Sequence, residues 1–568
     1  MSLHSTLHAG VLSALDSLTL SGALPEGLPT QNIVVESPRD PNHGDAATNA
    51  ALVLGKISGL GPKVLAEKLV DALKTHPLIE NASIAGPGFV NIHLSTQALG
   101  DTLSQAITDP QWGQDNLGQG QSILLEYLSA NPTGPVHVGH TRGAVLGDVL
   151  ARLWSAAGYK IHREYYVNDA GGQMDTLARS IYKRYEEAAG RDIEITPGLY
   201  PGDYLKPVGA MVFDTVGDAW LDKNEDVWLD KMRSMGAMAM LTLIQEDIDL
   251  LGISFDSYFS EKNMEKSKTI EVAMKYIELQ GLLAKETLED TTEKGDVDGR
   301  EQTVFTSTLY GDDKNRAIQK SDGSWTYFAG DLGYHWDKIQ RNPDKLVTIL
   351  GADHSGYVKR IQAATHALSK GETTLDVHLV QLVHLLKDNK PFQMSKRAGT
   401  FITLKDLVEA VGKDAVRFFM MARDCNSVLN FDFDLVVSTS RENPLYYIQY
   451  AHARCASVME KAGNPDTDTL ADIDVAHLTF AQRNVAGQIS LWPKVFKAAC
   501  EGAKPHLICT YLSELAAAYH SAWHAGYDAP SERMLSDENP EGLVLTKATQ
   551  NIISQGLGLL GITPSNKM

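Results

Sequence analysis

Cysteine is scarce in this sequence. Four cysteines occur among 568 residues, at positions 425, 455, 500 and 509, and none belongs to a CxxC pair. Structural zinc sites usually use such pairs, and disulfide-stabilised folds need a denser supply of cysteine. We therefore expect no structural zinc site and no disulfide framework, and the composition favours a reducing compartment such as the cytoplasm.

Long apolar runs are also missing. No stretch reaches the roughly 18 consecutive apolar residues that a membrane-spanning helix needs. The first residues, MSLHSTLHAGVLSALDSL, have no basic start and carry Asp16 within their apolar part. This pattern indicates an amphipathic helix and not a signal peptide, so we expect a cytoplasmic protein that does not associate with membranes.

The chain has no surplus of positive charge. It contains 51 Lys and Arg against 71 Asp and Glu, which gives a formal net charge of -20. From residue 441 to the end the balance is 10 against 13. Because nonspecific binding to phosphates draws on clustered basic side chains, this composition argues against a protein that coats nucleic acid. Any RNA contact would depend on shape, aromatic stacking and backbone groups.

The length is enough for three or four domains of ordinary size. Residues 1–110 combine helical segments, such as 51–73 with its glycine break, with a glycine-flanked strand at 86–94. The polar, glycine-rich stretch 108–120 is typical of a linker. We therefore predict a small N-terminal α+β domain over residues 1–110.

A strand-helix-strand pattern follows the linker. The apolar segment 123–128 predicts a buried strand, residues 141–158 an amphipathic helix that ends in glycine, and residues 160–169 a second strand. Such a unit is typical of a doubly wound parallel sheet. We predict a Rossmann-like domain over residues 111–440.

This domain is interrupted. Residues 175–300 are polar and mostly helical, and they predict an insertion that covers the sheet. Strand patterns resume at 326–332, 347–353 and 377–386. From 441 to 568 the pattern is helical almost throughout. The sequence thus predicts an α/β multidomain protein with a C-terminal all-α domain.

The strongest local motif is HVGH, at the turn from the first predicted strand of this domain to its helix. A helix N-terminus offers unpaired N–H groups and a positive dipole end to phosphates. Gly139 lets a flat base approach the backbone, while His137 and His140 can donate hydrogen bonds to phosphate oxygens as charge builds on them. A metal-binding histidine pair and two surface histidines are the alternatives.

A second motif, QMSKR, occupies residues 393–397 and is followed by Gly399. A loop that carries Lys396 can close over a triphosphate and neutralise the departing pyrophosphate. A solvated basic loop is the alternative for this segment alone. The two motifs in this order are much rarer than either one, which favours a nucleotide site.

HVGH and QMSKR resemble the HIGH and KMSKS motifs of class I aminoacyl-tRNA synthetases. The stretches LEYLSANPTGPVHVGHTRG, REYYVNDAGGQ, KSDGSWTYFAGDLGYHWDK and ENPLYYIQYAHAR resemble arginyl-tRNA synthetases of the bacterial type, as do HGDAATNAAL and GPGFVNI. DAVR at 414–417 is similar to the DALR motif for which the family's anticodon-binding domain is named. The resemblance covers nearly the whole chain and all three predicted domains.

The resemblance implies an arginine–tRNA ligase. Such an enzyme activates L-arginine with Mg-ATP, giving arginyl-adenylate and pyrophosphate, and then transfers arginine to the 3′-terminal adenosine of tRNA(Arg). The family also implies that tRNA must bind before activation is efficient. We expect a monomer whose C-terminal bundle reads the anticodon and whose N-terminal domain contacts the tRNA elbow.

The family's ATP site transfers to the two motifs. His137, Gly139, His140 and Lys396 would be catalytic, and Met394 and Ser395 would join them in binding ATP. Gln393 and Arg397 depart from the first and last positions of the family motif, so we assign the main role to Lys396. The HIGH-like region comprises Asn131, Pro132, Thr133, Gly134, Pro135, Val136, His137, Val138, Gly139, His140 and Thr141.

The resemblance places the arginine site at Glu126, Asn131, Tyr327, Asp331 and His354. A guanidinium is a flat, permanent cation with five donors, and carboxylates at fixed geometry hold it best. A pocket with two acids and a phenol would reject apolar amino acids, whose binding leaves buried charge unpaired. A structural salt bridge is the alternative for Glu126 and for Asp331.

Most of the candidate contacts with tRNA are aromatic residues. Asn49 and Phe89 fall in the recognisable N-terminal segments. In the C-terminal helices the candidate platforms for splayed bases are Tyr446, Tyr447, Tyr450, Tyr519 and Trp523. Aromatics at helical spacing are more often core residues, which is the alternative for each of them.

Two other functions stay open at this point. An HxGH-type nucleotidyltransferase that acts on a small acid would need no tRNA, and a non-catalytic relative would only bind RNA. The N-terminal and C-terminal domains argue against the first. The intact His137, Gly139, His140 and Lys396 argue against the second.

Overall fold

The structure is a computed structural model that describes residues 3–38, 43–287, 301–320, 322–392, 402–529, 532–536 and 540–568. The chain divides into two compact units. The central unit is Gly118–Val437, and the flanking unit joins Met1–Leu117 with Ser438–Met568. The segments predicted as N-terminal and C-terminal domains therefore share one unit, and the exact domain boundaries stay a prediction.

The N-terminal part of the flanking unit is an antiparallel sheet with helices. Its strands have the order β1-β2-β4-β3, and α4 packs against the C-terminal helices of the same unit. The predicted glycine break within residues 51–73 separates α2 from α3. In chain order the elements are α1 (Leu3–Leu20), β1 (Val35–Glu36), β2 (Ala46–Thr48), α2 (Ala50–Gly55), α3 (Pro62–Leu73), β3 (Ile79–Ala85), β4 (Phe89–Leu94) and α4 (Thr96–Thr108).

The central unit contains the predicted doubly wound sheet. Its first elements are β5 (Ser122–Glu126), α5 (Val138–Ala156), β6 (Lys160–Val167), α6 (Gly172–Ala188), α7 (Lys206–Val216), α8 (Glu225–Asp249), β7 (Ser257–Ser260), α9 (Glu261–Lys266) and α10 (Thr269–Leu279). Then follow β8 (Leu283–Thr287), β9 (Glu301–Phe305), β10 (Arg316–Ala317), α11 (Tyr327–Gln340), β11 (Lys345–Gly351), α12 (Val358–Ser369) and β12 (Thr374–Val380). The last are β13 (Val383–Lys387), β14 (Lys390–Pro391), α13 (Leu404–Val411), α14 (Lys413–Met421), β15 (Leu429–Asp432) and α15 (Phe433–Val437).

Five parallel strands in the order β12-β11-β5-β6-β7 form the main sheet. Its middle strands are almost continuously apolar and buried, as is usual for a parallel sheet covered on both faces. The chain runs from β5 to β6 and β7 on one side, and later returns to β11 and β12 on the other. The strand order therefore reverses between β5 and β11, where such sheets bind ligands at their carboxyl ends.

Three strand predictions need correction. Residues 326–332 begin a helix, α11, because the side chain of Thr326 accepts a hydrogen bond from the backbone N–H of Ala329 and caps the first turn. Strand β7 lies inside the region predicted as a helical insertion, and it completes the main sheet. The single strand predicted over 377–386 is two strands, β12 and β13, in different sheets.

The C-terminal part of the flanking unit is helical, as predicted. No helix among the described residues has the length and apolar character to cross a bilayer. Within the same described part, no group of three or more His, Cys, Asp or Glu is placed to hold a metal ion. The helices are α16 (Pro444–Lys461), α17 (Thr467–Ala471), α18 (Phe480–Ser490), α19 (Trp492–Gly502), α20 (His506–Asp528) and α21 (Glu541–Leu559).

Candidate active site

The HVGH segment forms the N-terminal end of α5. His137 is the N-cap residue, with extended backbone (φ −110°, ψ 166°), and its Nδ1 accepts a hydrogen bond from Gly139 N at 3.1 Å. The rings of His137 and His140 stack with their centroids 3.8 Å apart and 24° between their planes. The two imidazoles therefore form one stacked pair at the positive end of the helix dipole.

Burial keeps both imidazoles neutral near pH 7. It lowers the pKa of His137, and it lowers the pKa of His140 to about 4, where the neighbouring His137 adds to the effect. Because Nδ1 of His137 accepts a hydrogen bond, its ring proton lies on Nε2. Neutral imidazoles donate through N–H without first taking up a proton, so the pair suits hydrogen bonds to phosphate oxygens.

Gly139 is required by the packing of the histidines. A Cβ atom at this position would lie 2.9 Å from Cε1 and 3.0 Å from Nδ1 of His137. Both distances are shorter than ordinary van der Waals contact, so any side chain would push the His137 ring out of its stack.

The HVGH turn is tied to the segment that follows the QMSKR motif. Val138 N donates to Ile402 O at 3.0 Å, and Leu404 N donates to Val136 O at 2.7 Å. His137 and Thr403 form an isolated antiparallel bridge between these two bonds. The chain thus enters α13 directly beside the two histidines.

Gln393, Met394, Ser395, Lys396 and Arg397 lie outside the described residues. The role of Lys396 in binding the triphosphate therefore stays a prediction.

Glu126 ends β5 and forms a buried ion pair. Lys338, on α11, contributes a wholly buried ammonium group that contacts Oε2 of Glu126. Thr348 Oγ1 lies 3.4 Å from the same oxygen. The salt-bridge alternative thus describes Glu126 in this structure, and the sequence analysis did not single out Lys338.

Asp331 lies one helical turn after Tyr327 on α11, a spacing that puts both residues on one helix face. It makes no ion pair within the described part of the chain. Burial raises the pKa of Asp331 well above its ordinary value, and the negative charges of Glu126 and Glu261 raise it further. Lys338, which contacts Glu126, lies two helical turns after Asp331 on α11, so both acids adjoin this helix. Asp331 is thus an acid that a ligand cation would stabilise in its ionised form.

The other predicted arginine contacts are exposed. Tyr327 is 84% exposed, and Asn131 also faces solvent. His354 lies in the turn that follows β11, with its Nε2 3.6 Å from Asp353 Oδ2. The structure therefore brings Glu126 and Asp331 together, while Tyr327, Asn131 and His354 do not close over them.

Sequence reasoning missed a third acid beside this pair. Glu261 follows β7, and burial raises its pKa to about 7, with further contributions from Glu265 and Asp169. The hydroxyl of Tyr166, on β6, acts in the opposite direction and lowers the pKa of Glu261. The available signal is the acid directly after SYFS, a segment that the sequence analysis includes in a mostly helical insertion without predicting a strand there.

Three family models match the chain. The one described as "Arginyl tRNA synthetase N terminal domain" matches residues 5–94, and "tRNA synthetases class I (R), catalytic domain" matches residues 102–200. "DALR anticodon binding domain" matches residues 448–568. The three matches have the same order along the chain as the three predicted domains, and the catalytic match ends at residue 200.

Relatives match over the full length. An arginine–tRNA ligase from Paracoccus denitrificans is 46% identical over 580 aligned positions, which cover 100% of both chains. An arginine–tRNA ligase from Roseobacter denitrificans is 45% identical over 579 positions, again 100% of both. The chain belongs to the arginine–tRNA ligase family.

The fold agrees with that of solved family members. The structure of Thermus thermophilus arginyl-tRNA synthetase superposes with a TM-score of 0.74, covers 100% of both chains and is 18% identical in sequence. This likeness concerns the fold and confirms the α/β architecture with additional N-terminal and C-terminal elements.

Predicted tRNA contacts of this arginine–tRNA ligase family member fall into exposed and buried groups. Tyr446 and Tyr450 stack with centroids 6.2 Å apart, and Tyr450 is 38% exposed. The Arg454 guanidinium lies 4.5 Å from the centroid of Tyr450 and 4.8 Å from that of Trp523. Tyr519 is wholly buried and its hydroxyl lies 3.1 Å from Thr546 Oγ1, which favours the alternative of a core residue over a stacking platform.

The remaining predicted tRNA contacts, Tyr447, Phe89 and Asn49, also include packed and exposed side chains. The ring of Tyr447 packs 4.3 Å from that of His520, in keeping with a structural role. Phe89 is 42% exposed at the start of β4. The amide of Asn49 accepts a hydrogen bond from Val34 N at 2.8 Å and donates to Asn32 O at 3.1 Å, which fastens the segment before β1.

Proposed function

We propose that this protein ligates L-arginine to tRNA(Arg) in two steps at the carboxyl ends of β5 and β11. The observation that carries the proposal is the pairing of a neutral donor site, the HVGH turn at the start of α5, with two acids, Glu126 at the end of β5 and Asp331 on α11. Membership of the arginine–tRNA ligase family supplies the substrates, and the residues supply the chemistry. The HxGH-type nucleotidyltransferase and the non-catalytic RNA-binding relative are not favoured, because the relatives match from end to end.

In the first step a carboxylate oxygen of arginine attacks the α-phosphorus of Mg-ATP. The bond to the bridging oxygen breaks, and pyrophosphate leaves with its Mg2+ held by phosphate oxygens. His137 and His140 donate hydrogen bonds to oxygens that gain charge, at the positive end of α5. Lys396, with Met394 and Ser395, holds the triphosphate. This step requires positioning and charge stabilisation but no covalent nucleophile.

Selection of arginine depends on the acids. The guanidinium adds a positive charge beside Asp331, whose pKa stays raised despite the charges of Arg360 and Lys338, and Glu126 is shared between the ligand and Lys338. An apolar amino acid would bring no cation to Asp331, so the site would bind it less favourably than arginine. Tyr327, Asn131 and His354 are exposed, so they would reach the ligand only after a local rearrangement.

In the second step the 2′-hydroxyl of the terminal adenosine attacks the carbonyl carbon of the adenylate. The ester bond forms, the bond to phosphate breaks, and AMP leaves. Tyr446, Tyr450 and Trp523 serve as stacking platforms for anticodon bases, and Phe89 contacts the tRNA elbow. The protein acts as a monomer in the cytoplasm, where tRNA is charged.

The test is aminoacylation of tRNA(Arg) with each of the twenty amino acids in turn, together with pyrophosphate exchange in the presence and absence of tRNA. Arginine alone should support both reactions, and exchange should need tRNA. Exchange that proceeds without tRNA and ignores arginine would instead support the nucleotidyltransferase alternative.

A further inference from the structure

Asp247 is a buried acid that the proposed mechanism does not use. It lies in the last turn of α8, a helix of the insertion, and its side chain is almost completely enclosed. Its Oδ2 accepts a hydrogen bond from the backbone N–H of Val136 at 2.8 Å. No described cation forms an ion pair with Asp247. Its buried carboxylate instead accepts the hydrogen bond of the Val136 backbone N–H group.

Val136 is the point at which three segments meet. Its N–H is held by Asp247 of α8, and its carbonyl oxygen accepts from Leu404 N, at the start of α13, at 2.7 Å. Val136 itself is wholly buried. The residue that follows is His137, whose extended backbone caps α5. A shift of Val136 would therefore move the stacked imidazoles relative to the segment that enters α13.

We propose that Asp247 is a positioning residue for the reaction, which fixes the backbone ahead of His137 through its ionised carboxylate. An ionised acceptor forms a stronger and shorter hydrogen bond with an N–H group than a neutral one does. A misplacement of about 1 Å at catalytic groups can lower a rate about 100-fold, so a modest loosening is measurable. The inference rests on the assignment of the HVGH turn to ATP.

Burial raises the pKa of Asp247 to about 6, against the lowering effect of the Val136 N–H group. The charged groups that face it are Lys405 on α13, which lowers the pKa, and Glu246 and Asp406, which raise it. The titratable residue next to Val136 in the sequence is His137. Activity should therefore fall as the pH drops through about 6, because Asp247 becomes neutral and its hold on Val136 weakens.

The same burial has an opposite effect on stability. An acid whose pKa is higher in the folded state than in the unfolded state destabilises the fold where it is ionised, above its folded pKa. Asp247→Asn removes this charge and keeps an amide oxygen that can accept from Val136. A positioning role therefore predicts a variant that is as stable as the wild type or more stable at pH 8, yet less active.

The experiment compares Asp247→Asn with Asp249→Asn, a matched change at an exposed acid of the same helix turn. At pH 8 and saturating arginine, Asp247→Asn should lower kcat about fivefold with an unchanged KM for arginine and an equal or higher Tm. Asp249→Asn should change neither. In the pH profile of kcat, the wild type should lose activity below about pH 6, and Asp247→Asn should lack this acid limb.

Two results would overturn the proposal. One is an Asp247→Asn variant with wild-type kcat and an intact acid limb. The other is a variant that loses Tm and activity together, or fails to fold, since that shows a structural residue only. His140→Ala distinguishes this failure from a failure of the proposed function. If His140→Ala keeps full activity, the ATP site is misassigned, whatever Asp247→Asn does.

Discussion

The two ends of the candidate site respond differently to the same physical condition, burial. At the HVGH turn, burial lowers the pKa of His137 and His140 and keeps them as neutral donors. At the acid pair, burial and the neighbouring acids raise the pKa of Asp331, although the charges of Arg360 and Lys338 lower it. The first end is complete before any ligand arrives. We expect the acid end to become fully ionised when the arginine cation binds. Catalytic geometry therefore depends on the histidines, and the choice of substrate depends on the acids.

The largest expected effect comes from the acid end. Asp331→Asn should lower kcat/KM for arginine about 1000-fold, because the guanidinium then loses its buried, ionised partner. The KM for ATP should stay the same. Steady-state aminoacylation measures both constants. Asp322→Asn, at an exposed acid ahead of α11, is the control and should behave as the wild type. A loss for Asp331→Asn of less than about threefold would mean that this acid does not face arginine.

A smaller effect is expected at the donor end. His140→Ala should lower kcat about 100-fold, since one hydrogen-bond donor to the developing charge is lost. The KM for arginine and the binding of tRNA should change little, which separates this end from the acid end. Pyrophosphate exchange with tRNA present gives the rate, and filter binding gives the tRNA affinity. His384→Ala, at an exposed histidine of β13, is the matched control.

The flanking unit offers a third contrast, between exposed and buried aromatics. Trp523→Ala should raise the KM for tRNA roughly tenfold if a base stacks on it. Tyr519→Phe removes a buried hydroxyl near Thr546 and should lower the free energy of unfolding by about 1 kcal/mol while leaving tRNA binding unchanged. Titration of labelled tRNA and denaturant unfolding measure the two effects. Equal tRNA affinity for both variants would remove Trp523 from the interface.

Local patterns predicted the parts of the fold that depend on neighbouring residues. The strand at β5, the helix α5 and its HVGH start follow from apolar periodicity and a glycine turn, so the donor end was accessible from the sequence. The same periodicity misread α11, because aromatic residues at its start resemble a strand. The helix is set instead by the Thr326 cap.

Long-range contacts account for what the sequence could not reveal. Lys338 and Glu126 are far apart along the chain, and no local pattern pairs them. Glu261 joins the acids only because β7 is the edge strand next to β6. Asp247 contacts Val136 through the packing of α8 beside the HVGH turn. The sequence motifs therefore identified the candidate nucleotide and arginine residues, while the fold determines which of the charged side chains have a partner.

The acid end also makes the binding of arginine depend on pH. Asp331 and Glu261 have raised pKa values, that of Glu261 about 7, so they hold protons in the empty site at lower pH. The guanidinium favours their ionised forms, so its binding must expel a proton there. The apparent affinity for arginine should therefore rise with pH, by about tenfold per pH unit for each proton released, until these acids are ionised.

The most direct test is calorimetry of arginine binding at pH 6 in two buffers with different ionisation enthalpies. The difference in heat gives the number of protons released. We expect at least one proton per arginine at pH 6, because both Asp331 and Glu261 have raised pKa values, fewer as the pH rises above those values, and a clear reduction in Asp331→Asn. Tight binding with no proton release at any pH between about 5.5 and 8 would show that the acids are already ionised in the empty site. That result would contradict the claim that they ionise when arginine binds.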